Sequence, residues 1–128
     1  MKAHFILYVA DQNRAARFYE AVLGRKPRLD VPGMTEFELS ADAVLGLMPA
    51  AGIKRLLGER LPDPERASAP RAELYLLVED PGASHQRALE HGAAELSALS
   101  PRNWGHEAAY SLDLDGHVLA FAKALRLT

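Results

Sequence analysis

Residues 4–24 have the sequence HFILYVADQNRAARFYEAVLG, which starts as a strand and continues as a helix. Phe5–Val9 is a run of bulky apolar residues that is typical of a buried strand. Asp11 can cap a helix through its carboxylate, and Gly24 suits the left-handed conformation in which many helices end. Between these two, apolar residues recur at the spacing of one helix face, at Ala15, Phe18, Tyr19, Val22 and Leu23. The stretch therefore predicts a strand followed by an amphipathic helix.

The same pattern returns in the second half of the chain, as ELYLLVEDPGASHQRALEHG at 73–92. Its first six residues predict another strand, and Asp80, followed by proline, predicts the start of another helix. The spacing from Asp11 to Asp80 equals the spacing from His4 to Glu73. The repetition indicates that the chain is built from two copies of one unit.

Further strands are predicted after each helix. They are Thr35–Ser40 and Ala43–Met48 in the first half, and Ala108–Asp113 and His117–Ala124 in the second, with a hairpin turn before the last. The apolar positions of these strands also match between the halves. Phe37 matches Tyr110 and Leu39 matches Leu112, at an offset that is larger than the one between Asp11 and Asp80. Leu45 matches Leu119 and Leu47 matches Phe121, at an offset that is one position larger still. We therefore expect an α+β fold of two βαβββ modules whose curled sheets share a cavity.

A proline-rich segment, Pro49–Arg71, separates the two copies and holds one short helical pattern at Gly52–Leu57. A connection of this length in a small domain is either a flap over a site or a linker. We expect one domain over residues 1–128, with module 1 at about 1–48, the connecting segment at 49–71 and module 2 at about 72–128.

The composition excludes several classes of function. The 128 residues include no cysteine, so disulfides and cysteine-ligated metals are ruled out. The formal net charge of −2 offers no basic surface for nucleic acid or for an anionic membrane. The apolar run Ala3–Ala10 is too short to span a bilayer. We expect a cytoplasmic protein with no nucleic-acid or membrane partner.

Several motifs in this order resemble the vicinal oxygen chelate superfamily, which includes glyoxalase I, extradiol dioxygenases, and fosfomycin- and bleomycin-resistance proteins. The motifs are Leu7-Tyr8-Val9-Ala10-Asp11, Arg17-Phe18-Tyr19 with Leu23-Gly24, Glu73–Val78, Trp104-Gly105 and the turn Asp113-Leu114-Asp115-Gly116-His117. The turn is similar to the family's Asp-Pro-Asp-Gly sequence, with Leu114 in the place of proline. The resemblance covers nearly the whole chain, and it implies the paired-module fold and a homodimer.

In the metal-using members of the family, four side chains from the module strands converge on one divalent ion. The resemblance places these positions at His4, Gly46, Glu73 and Ala120. Gly46 and Ala120 carry no donor atom, whereas protein metal sites normally use three or more protein ligands. We therefore expect a cavity without a catalytic metal and no cofactor, with His4 and Glu73 as the remaining candidate ligands. His85 and His91 lie on the second predicted helix without sharing a face, and we expect both to face solvent.

Strand alternation predicts which side chains line the cavity. If Leu45 and Leu119 pack under the helices, the neighbouring small residues face the cavity and enlarge it. A small-molecule ligand is then expected to contact His4, Tyr8, Met48, Glu73, Tyr75, Trp104 and Tyr110. Met34 and Phe37 also fit this lining, although Phe37 and Met48 equally suit core packing. Trp104, with Arg102, Asn103 and His106 nearby, suits a flat or anionic ligand or anchors its own loop.

The resemblance leaves two functions open. The first is a protein similar to the bleomycin-resistance branch that binds a small molecule without a metal, and the missing donors at Gly46 and Ala120 favour it. The alternative is a divalent-metal-dependent lyase or isomerase resembling glyoxalase I, or a related dioxygenase, with His4 and Glu73 among its ligands. The sequence does not decide whether the protein is an enzyme.

Overall fold

A computed structural model describes residues 1–66 and 69–126, and these fall into two units, Met1–Ser68 and Ala69–Thr128. Positions 67–68 of the predicted connecting segment and positions 127–128 at the end of module 2 lie outside the described residues. Each unit contains a four-stranded mixed sheet with helices packed against it. The predicted α+β fold of two similar modules is therefore confirmed.

The first unit follows the order strand, helix, three strands, helix. Its elements are β1 (Ala3–Val9), α1 (Gln12–Leu23), β2 (Leu29–Val31), β3 (Met34–Ser40), β4 (Ala43–Pro49) and α2 (Ala50–Leu57), followed by two 3₁₀ turns at Gly58–Arg60 and Pro64–Arg66. The strand order in the sheet is β1-β4-β3-β2, in which β1 and β4 are parallel and the other pairs antiparallel. The predicted strands and the predicted short helix are all present.

Strand β1 is less buried than its sequence predicts. Within the unit, Val9 is fully buried, whereas Phe5 and Ile6 are exposed. Among the described residues, the strand lies at the edge of its sheet and pairs with β4 alone, so fewer neighbours cover its side chains than cover those of a central strand. The run of apolar residues therefore predicted the strand correctly and its burial wrongly.

Helix α1 begins and ends where the sequence predicts. The Asp11 carboxylate accepts a hydrogen bond from the backbone N–H of Arg14 at 3.0 Å, and Gly24 has a φ of 67° in the left-handed region. The helix packs against β3 and β4, and its buried residues are Ala15, Ala16, Phe18, Tyr19 and Val22. Burying a large apolar side chain contributes about 1.5–3 kcal/mol, so this face holds the helix on one side of the sheet.

The second unit repeats the arrangement. Its elements are β5 (Glu73–Leu77), α3 (Pro81–Glu90), β6 (Ala94–Pro101), β7 (His106–Leu112) and β8 (Val118–Ala124), with the strand order β5-β8-β7-β6. The pair β5 and β8 is parallel and the others are antiparallel. Asp80 caps α3 by accepting the N–H of Ala83 at 3.0 Å, just as Asp11 caps α1.

Two edge strands were not located in the sequence. Strand β2 has three residues, all exposed, and β6 has register shifts and no fully buried residue. An edge strand that buries few side chains leaves no strong alternation of apolar and polar residues to detect. The duplicated βαβββ pattern implied a third strand in each module without giving its position.

The predicted match of Phe37 with Tyr110 is wrong by one position. Glu36 pairs with Gly46 in the first sheet, and Tyr110 pairs with Ala120 in the second. Glu36 and not Phe37 is therefore the equivalent of Tyr110, and the offset that relates β4 to β8 also relates β3 to β7. A slip of one residue exchanges the faces of a strand, which explains why Phe37, predicted as a candidate for the cavity, lies fully buried in the core.

The two histidines of the second helix have different environments. His85 is buried, and its Nε2 lies 2.9 Å from Oε2 of Glu95 on β6, so the prediction that it faces solvent is wrong. His91 is exposed, as predicted. His85 occupies the inner face of α3 together with Ala88, and the carboxylate of Glu95 satisfies one nitrogen of its ring.

Within residues 1–66 and 69–126, no helix is both long and apolar enough to cross a membrane.

Candidate functional site

Each sheet has a second face, directed away from α1 or α3, which we call its open face. In the first unit this face is formed by His4, Ile6 and Tyr8 of β1, Met34 and Glu36 of β3, and Val44, Gly46 and Met48 of β4. A Cβ atom on Gly46 would lie 3.1 Å from Cγ1 of Ile6 and 3.2 Å from Sδ of Met34. Gly46 therefore faces the same side as these two residues, as strand alternation predicts.

A charged cluster crosses the open face of the first unit. Nε and Nη2 of Arg28 both donate to Oε1 of Glu36, at 3.1 and 2.9 Å, and Nδ1 of His4 lies 3.5 Å from Oε2 of the same carboxylate. His4 on β1 and Glu36 on β3 are separated by β4, so this contact passes over the central strand. His4 was predicted from the sequence, whereas Glu36 was missed. The offset that relates Gly46 to Ala120 also relates Glu36 to Tyr110, so using this offset for β3 would have identified Glu36.

The other predicted residues of the first unit lie on the same face. Tyr8 is in register with Met48, and Tyr8 is about one third exposed. Met48 lies beside α2, because a Cβ atom on Gly52 would be 3.9 Å from Cε of Met48. The helix predicted in the connecting segment therefore lies next to this end of the open face.

The open face of the second unit is aromatic. Tyr75 of β5, Ala120 of β8 and Tyr110 of β7 are in register across the sheet. Ala120 and Ala122 are both fully buried. Glu73 precedes Tyr75 by two residues on the same face of β5 and is exposed.

Tyr75 is the centre of a hydrogen-bonded chain on this face. Nε1 of Trp104 donates to the Tyr75 hydroxyl at 3.0 Å, and that hydroxyl lies 2.7 Å from Nδ1 of His106. An indole N–H can only donate, so the Tyr75 hydroxyl accepts from Trp104, while the tautomer of His106 decides which partner donates in the second bond. The rings of Tyr75 and His106 are stacked, with centroids 5.8 Å apart.

The bond between Tyr75 and His106 crosses the central strand of the second sheet. Tyr75 is on β5 and His106 on β7, and β8 lies between them. The open-face residues of β8 at this level are Ala120 and Ala122. Their methyl groups leave room for a phenol to extend across the strand. The sequence predicted that these alanines enlarge a cavity, and part of the space that they leave is filled by this bond.

Arg102 is engaged within the second unit. Its Nη2 donates to Oγ of Ser97 at 2.9 Å and to the backbone oxygens of Ala98 and Ala108 at 3.2 and 2.8 Å. Its guanidinium carbon also lies 5.1 Å from the centroid of the Tyr110 ring. The guanidinium thus links β6 to β7 where their pairing is irregular, and its hydrogen bonds go to oxygen atoms of the protein itself.

The surroundings of Tyr110 raise the pKa of its phenol. Burial raises the pKa of Tyr110 above its ordinary value, and the nearby Glu73 and Tyr75 raise this pKa further, while Arg102 acts in the opposite direction. The phenol therefore stays neutral and keeps its proton. Of the predicted site residues, Glu73 and Tyr75 act on Tyr110, whereas Trp104 contacts the Tyr75 hydroxyl.

The residues at the four family ligand positions do not fit a metal. Gly46 and Ala120 lie on the open faces, where the resemblance requires donors, and neither has a donor atom. Among residues 1–66 and 69–126, no group of three or more histidine, aspartate and glutamate side chains is arranged to hold an ion. His4 and Glu73 alone do not provide the three or more protein ligands of a typical site.

The profile of the Glyoxalase/Bleomycin resistance protein/Dioxygenase superfamily matches residues 3–121. The chain therefore belongs to this superfamily, as the resemblance predicted.

Solved structures of the superfamily are similar in fold. A glyoxalase-related enzyme from Fulvimarina pelagi is 21% identical with a TM-score of 0.81, over 96% of this chain and 87% of that chain. A family enzyme from Burkholderia phytofirmans PsJN is 17% identical with a TM-score of 0.82, over 95% and 97%. A family protein from Nocardioides is 18% identical with a TM-score of 0.77, over 100% and 85%. No curated protein matches the chain significantly.

Proposed function

We propose that this chain binds a small organic molecule on the open faces of its sheets and does so without a catalytic metal, similarly to the bleomycin-resistance branch of its superfamily. One observation carries the proposal. Gly46 and Ala120, two of the four family ligand positions, lie on the open faces and have no donor atom. A first-row metal held by the remaining two residues would be largely bound by water and would dissociate easily.

The chemistry of the open faces supports a ligand that is mostly apolar. Ile6 and Tyr8 in the first unit and Trp104 in the second are exposed to solvent although they are large and apolar or aromatic. Binding sites for small molecules combine such surfaces with a few polar groups that orient the ligand. The carboxylates of Glu36 and Glu73 and the imidazoles of His4 and His106 are polar groups of this kind.

Calorimetry of the metal-stripped protein with Ni²⁺, Zn²⁺ and Mn²⁺ tests the absence of a metal site. The proposal predicts no stoichiometric binding with a Kd below about 1 μM. His4→Ala removes a residue at a family ligand position, and His91→Ala removes an exposed histidine outside the open faces as a matched control. Tight stoichiometric binding that His4→Ala abolishes and His91→Ala preserves would contradict the proposal. It would favour the metal-dependent lyase, isomerase or dioxygenase instead.

A further inference from the structure

We infer that the open face of the first unit binds the apolar body of the ligand, and that the ligand bound there carries no charge. The inference rests on the proposed function and names the ligand class for one of its faces. It follows from the register of the four strands, the exposure of their apolar side chains and the pairing of the charged ones.

One row of residues crosses all four strands of this face. Ile6 of β1 pairs with Gly46 of β4, and Gly46 pairs with Glu36 of β3. Glu36 pairs in turn with Leu29 of β2, so the row is about 14 Å wide at the usual spacing of strands. Its two apolar ends are open to solvent, because Ile6 is 42% exposed and Leu29 is 39% exposed.

The neighbouring row lies about 7 Å further along the strands. Tyr8 pairs with Met48 on one side of the sheet, and Val31 pairs with Met34 on the other. Sδ of Met34 is 3.2 Å from the position of a Cβ atom on Gly46, so this side chain extends over the glycine and joins the two rows. Tyr8 and Val31 are 36% and 44% exposed. We call the surface of both rows the apolar strip, which consists of Ile6, Tyr8, Leu29, Val31, Met34 and Met48.

The strip has the size and chemistry of a site for a small apolar molecule. Contiguous apolar surface that stays exposed on a folded chain is typical of binding sites. An area of about 14 by 7 Å accommodates two fused aromatic rings. The thioether of Met34 is flexible and polarisable, so it can adapt to the edge of a ring.

The charged groups beside the strip are paired with one another. Oε1 of Glu36 accepts two hydrogen bonds from Arg28, and Oε2 lies 3.5 Å from Nδ1 of His4. Both carboxylate oxygens are therefore engaged, and the Glu36 side chain is only 14% exposed. A charged ligand meets no free counter-charge in this cluster.

Glu38 is a further charged residue on this face. It pairs with Val44 in the row of His4, on the side of Glu36 that is away from Met34. The residue is exposed, so water and salt screen its charge. Its carboxylate therefore does little to compensate a cation placed on the strip.

An uncharged ligand satisfies these features best. An ionised ligand would lose part of its hydration over the apolar strip without gaining a counter-charge in return. A neutral ligand of the same shape gains the burial of apolar surface without this cost. The ligand class is therefore an uncharged molecule with an apolar body of about two fused rings.

Three probes with the same ring system separate charge from apolar contact. They are 1-naphthalenemethanol, which is neutral, 1-naphthylmethylammonium, which is a cation, and 1-naphthoate, which is an anion. Calorimetry at neutral pH should show that the neutral probe binds about tenfold more tightly than either ion. An ion that binds as tightly as the neutral probe would overturn the inference and leave the proposed function intact. If none of the three probes binds, both are wrong.

Leu29→Ser tests the location of the site, and Leu96→Ser is the matched control. Both leucines are exposed and lie on edge strands, Leu29 on β2 of the first sheet and Leu96 on β6 of the second. We expect Leu29→Ser to weaken binding of the neutral probe about fivefold, because apolar contact area is lost, and Leu96→Ser to preserve its Kd. Equal Kd values for the two variants would place the site elsewhere and overturn the inference.

Glu36→Gln tests the role of the paired charges. It leaves Arg28 without a carboxylate partner and keeps the shape of the side chain, so we expect 1-naphthoate to gain about tenfold in affinity. Glu20→Gln, which removes the partner of Lys26 beside α1, is the matched control and should leave this affinity unchanged. If Glu36→Gln also leaves it unchanged, the charge pairing does not select the ligand and the inference is wrong.

Discussion

The Tyr75 hydroxyl contacts two side chains, Trp104 and His106, from another part of the second unit. It accepts a hydrogen bond from Trp104 in the turn after β6 and lies 2.7 Å from Nδ1 of His106 at the start of β7, while its own backbone is on β5. Such a chain fixes the position of the indole relative to the sheet. The orientation of Trp104, and with it the aromatic surface of the proposed site, therefore depends on one oxygen atom.

Replacing Tyr75 with phenylalanine tests this dependence. Tyr75→Phe removes both hydrogen bonds while keeping the ring, so we expect a loss of about 1 kcal/mol in the free energy of unfolding. The emission of Trp104 should also shift to longer wavelength, because its N–H becomes hydrated. Urea denaturation and fluorescence measure the two effects. Tyr8→Phe, which removes an exposed hydroxyl in the first unit, is the control, and equal behaviour of the two variants would contradict the prediction.

Tyr110 predicts a pH dependence of stability. Its pKa is raised in the folded state above the ordinary value of 10.0, so the folded protein holds this proton more tightly than the unfolded chain does. The resulting stabilisation is complete below pH 10 and is lost as the pH rises through the folded pKa. We expect the free energy of unfolding to fall less steeply above pH 10 in Tyr110→Phe than in the unmodified protein. Parallel pH profiles for the two proteins would show that the prediction is wrong.

At the residue scale, the sequence indicated which side chains share a face but not which of them make contact. His4, Tyr75, Trp104 and Tyr110 were selected from alternation and from the resemblance. Glu36 was missed because the repeat was aligned one residue off in β3. Hydrogen bonds such as the one between Tyr75 and His106 depend on side-chain length and on the strand between them, which no local pattern encodes.

At the scale of secondary structure, the central strands determine the chemistry of the open faces. The open faces of β4 and β8 hold small residues, Gly46 on β4 and Ala120 and Ala122 on β8, and in each unit a polar contact between the two flanking strands passes over this strand. The contact is His4 with Glu36 in the first unit and Tyr75 with His106 in the second. The two units therefore use the same topology for different chemistry.

A larger side chain on β8 should break the contact above it. Ala122→Leu places three more carbon atoms at a fully buried position between Tyr75 and His106. We expect a loss of about 1–3 kcal/mol from overpacking and the same change in Trp104 emission as in Tyr75→Phe. Ala94→Leu, at an exposed position on β6, controls for the substitution itself. Unchanged stability and emission in Ala122→Leu would mean that the alanines are not required.

Elements with a strong apolar pattern were predicted and elements without one were not. Helices α1 and α3 have capping aspartates and a buried face, and β1, β4, β5 and β8 are rich in apolar residues, so their local signals agree with the fold. Strands β2 and β6 lie at the sheet edges, where pairing with a single neighbour and not burial defines the strand. Their positions follow from the assembled sheet alone.

At the scale of the whole molecule, the chain combines two copies of one module that have kept their topology and changed their open faces. The internal repetition of the sequence was sufficient to predict this architecture, because each module has the same order of strand, helix and strands. The chemistry diverged, with a charged cluster in the first unit and an aromatic cluster in the second. Homodimer formation and a cytoplasmic location remain predictions from the sequence.

The central claim is that ligand binding does not require a metal. The most direct test is a titration of the metal-stripped protein with 1-naphthalenemethanol and with 1-naphthylmethylammonium, followed by calorimetry, once in excess EDTA and once with added Mn²⁺. We expect a saturable response with the same Kd in both buffers for whichever probe binds. A response that is absent in EDTA and appears with Mn²⁺ would contradict the claim.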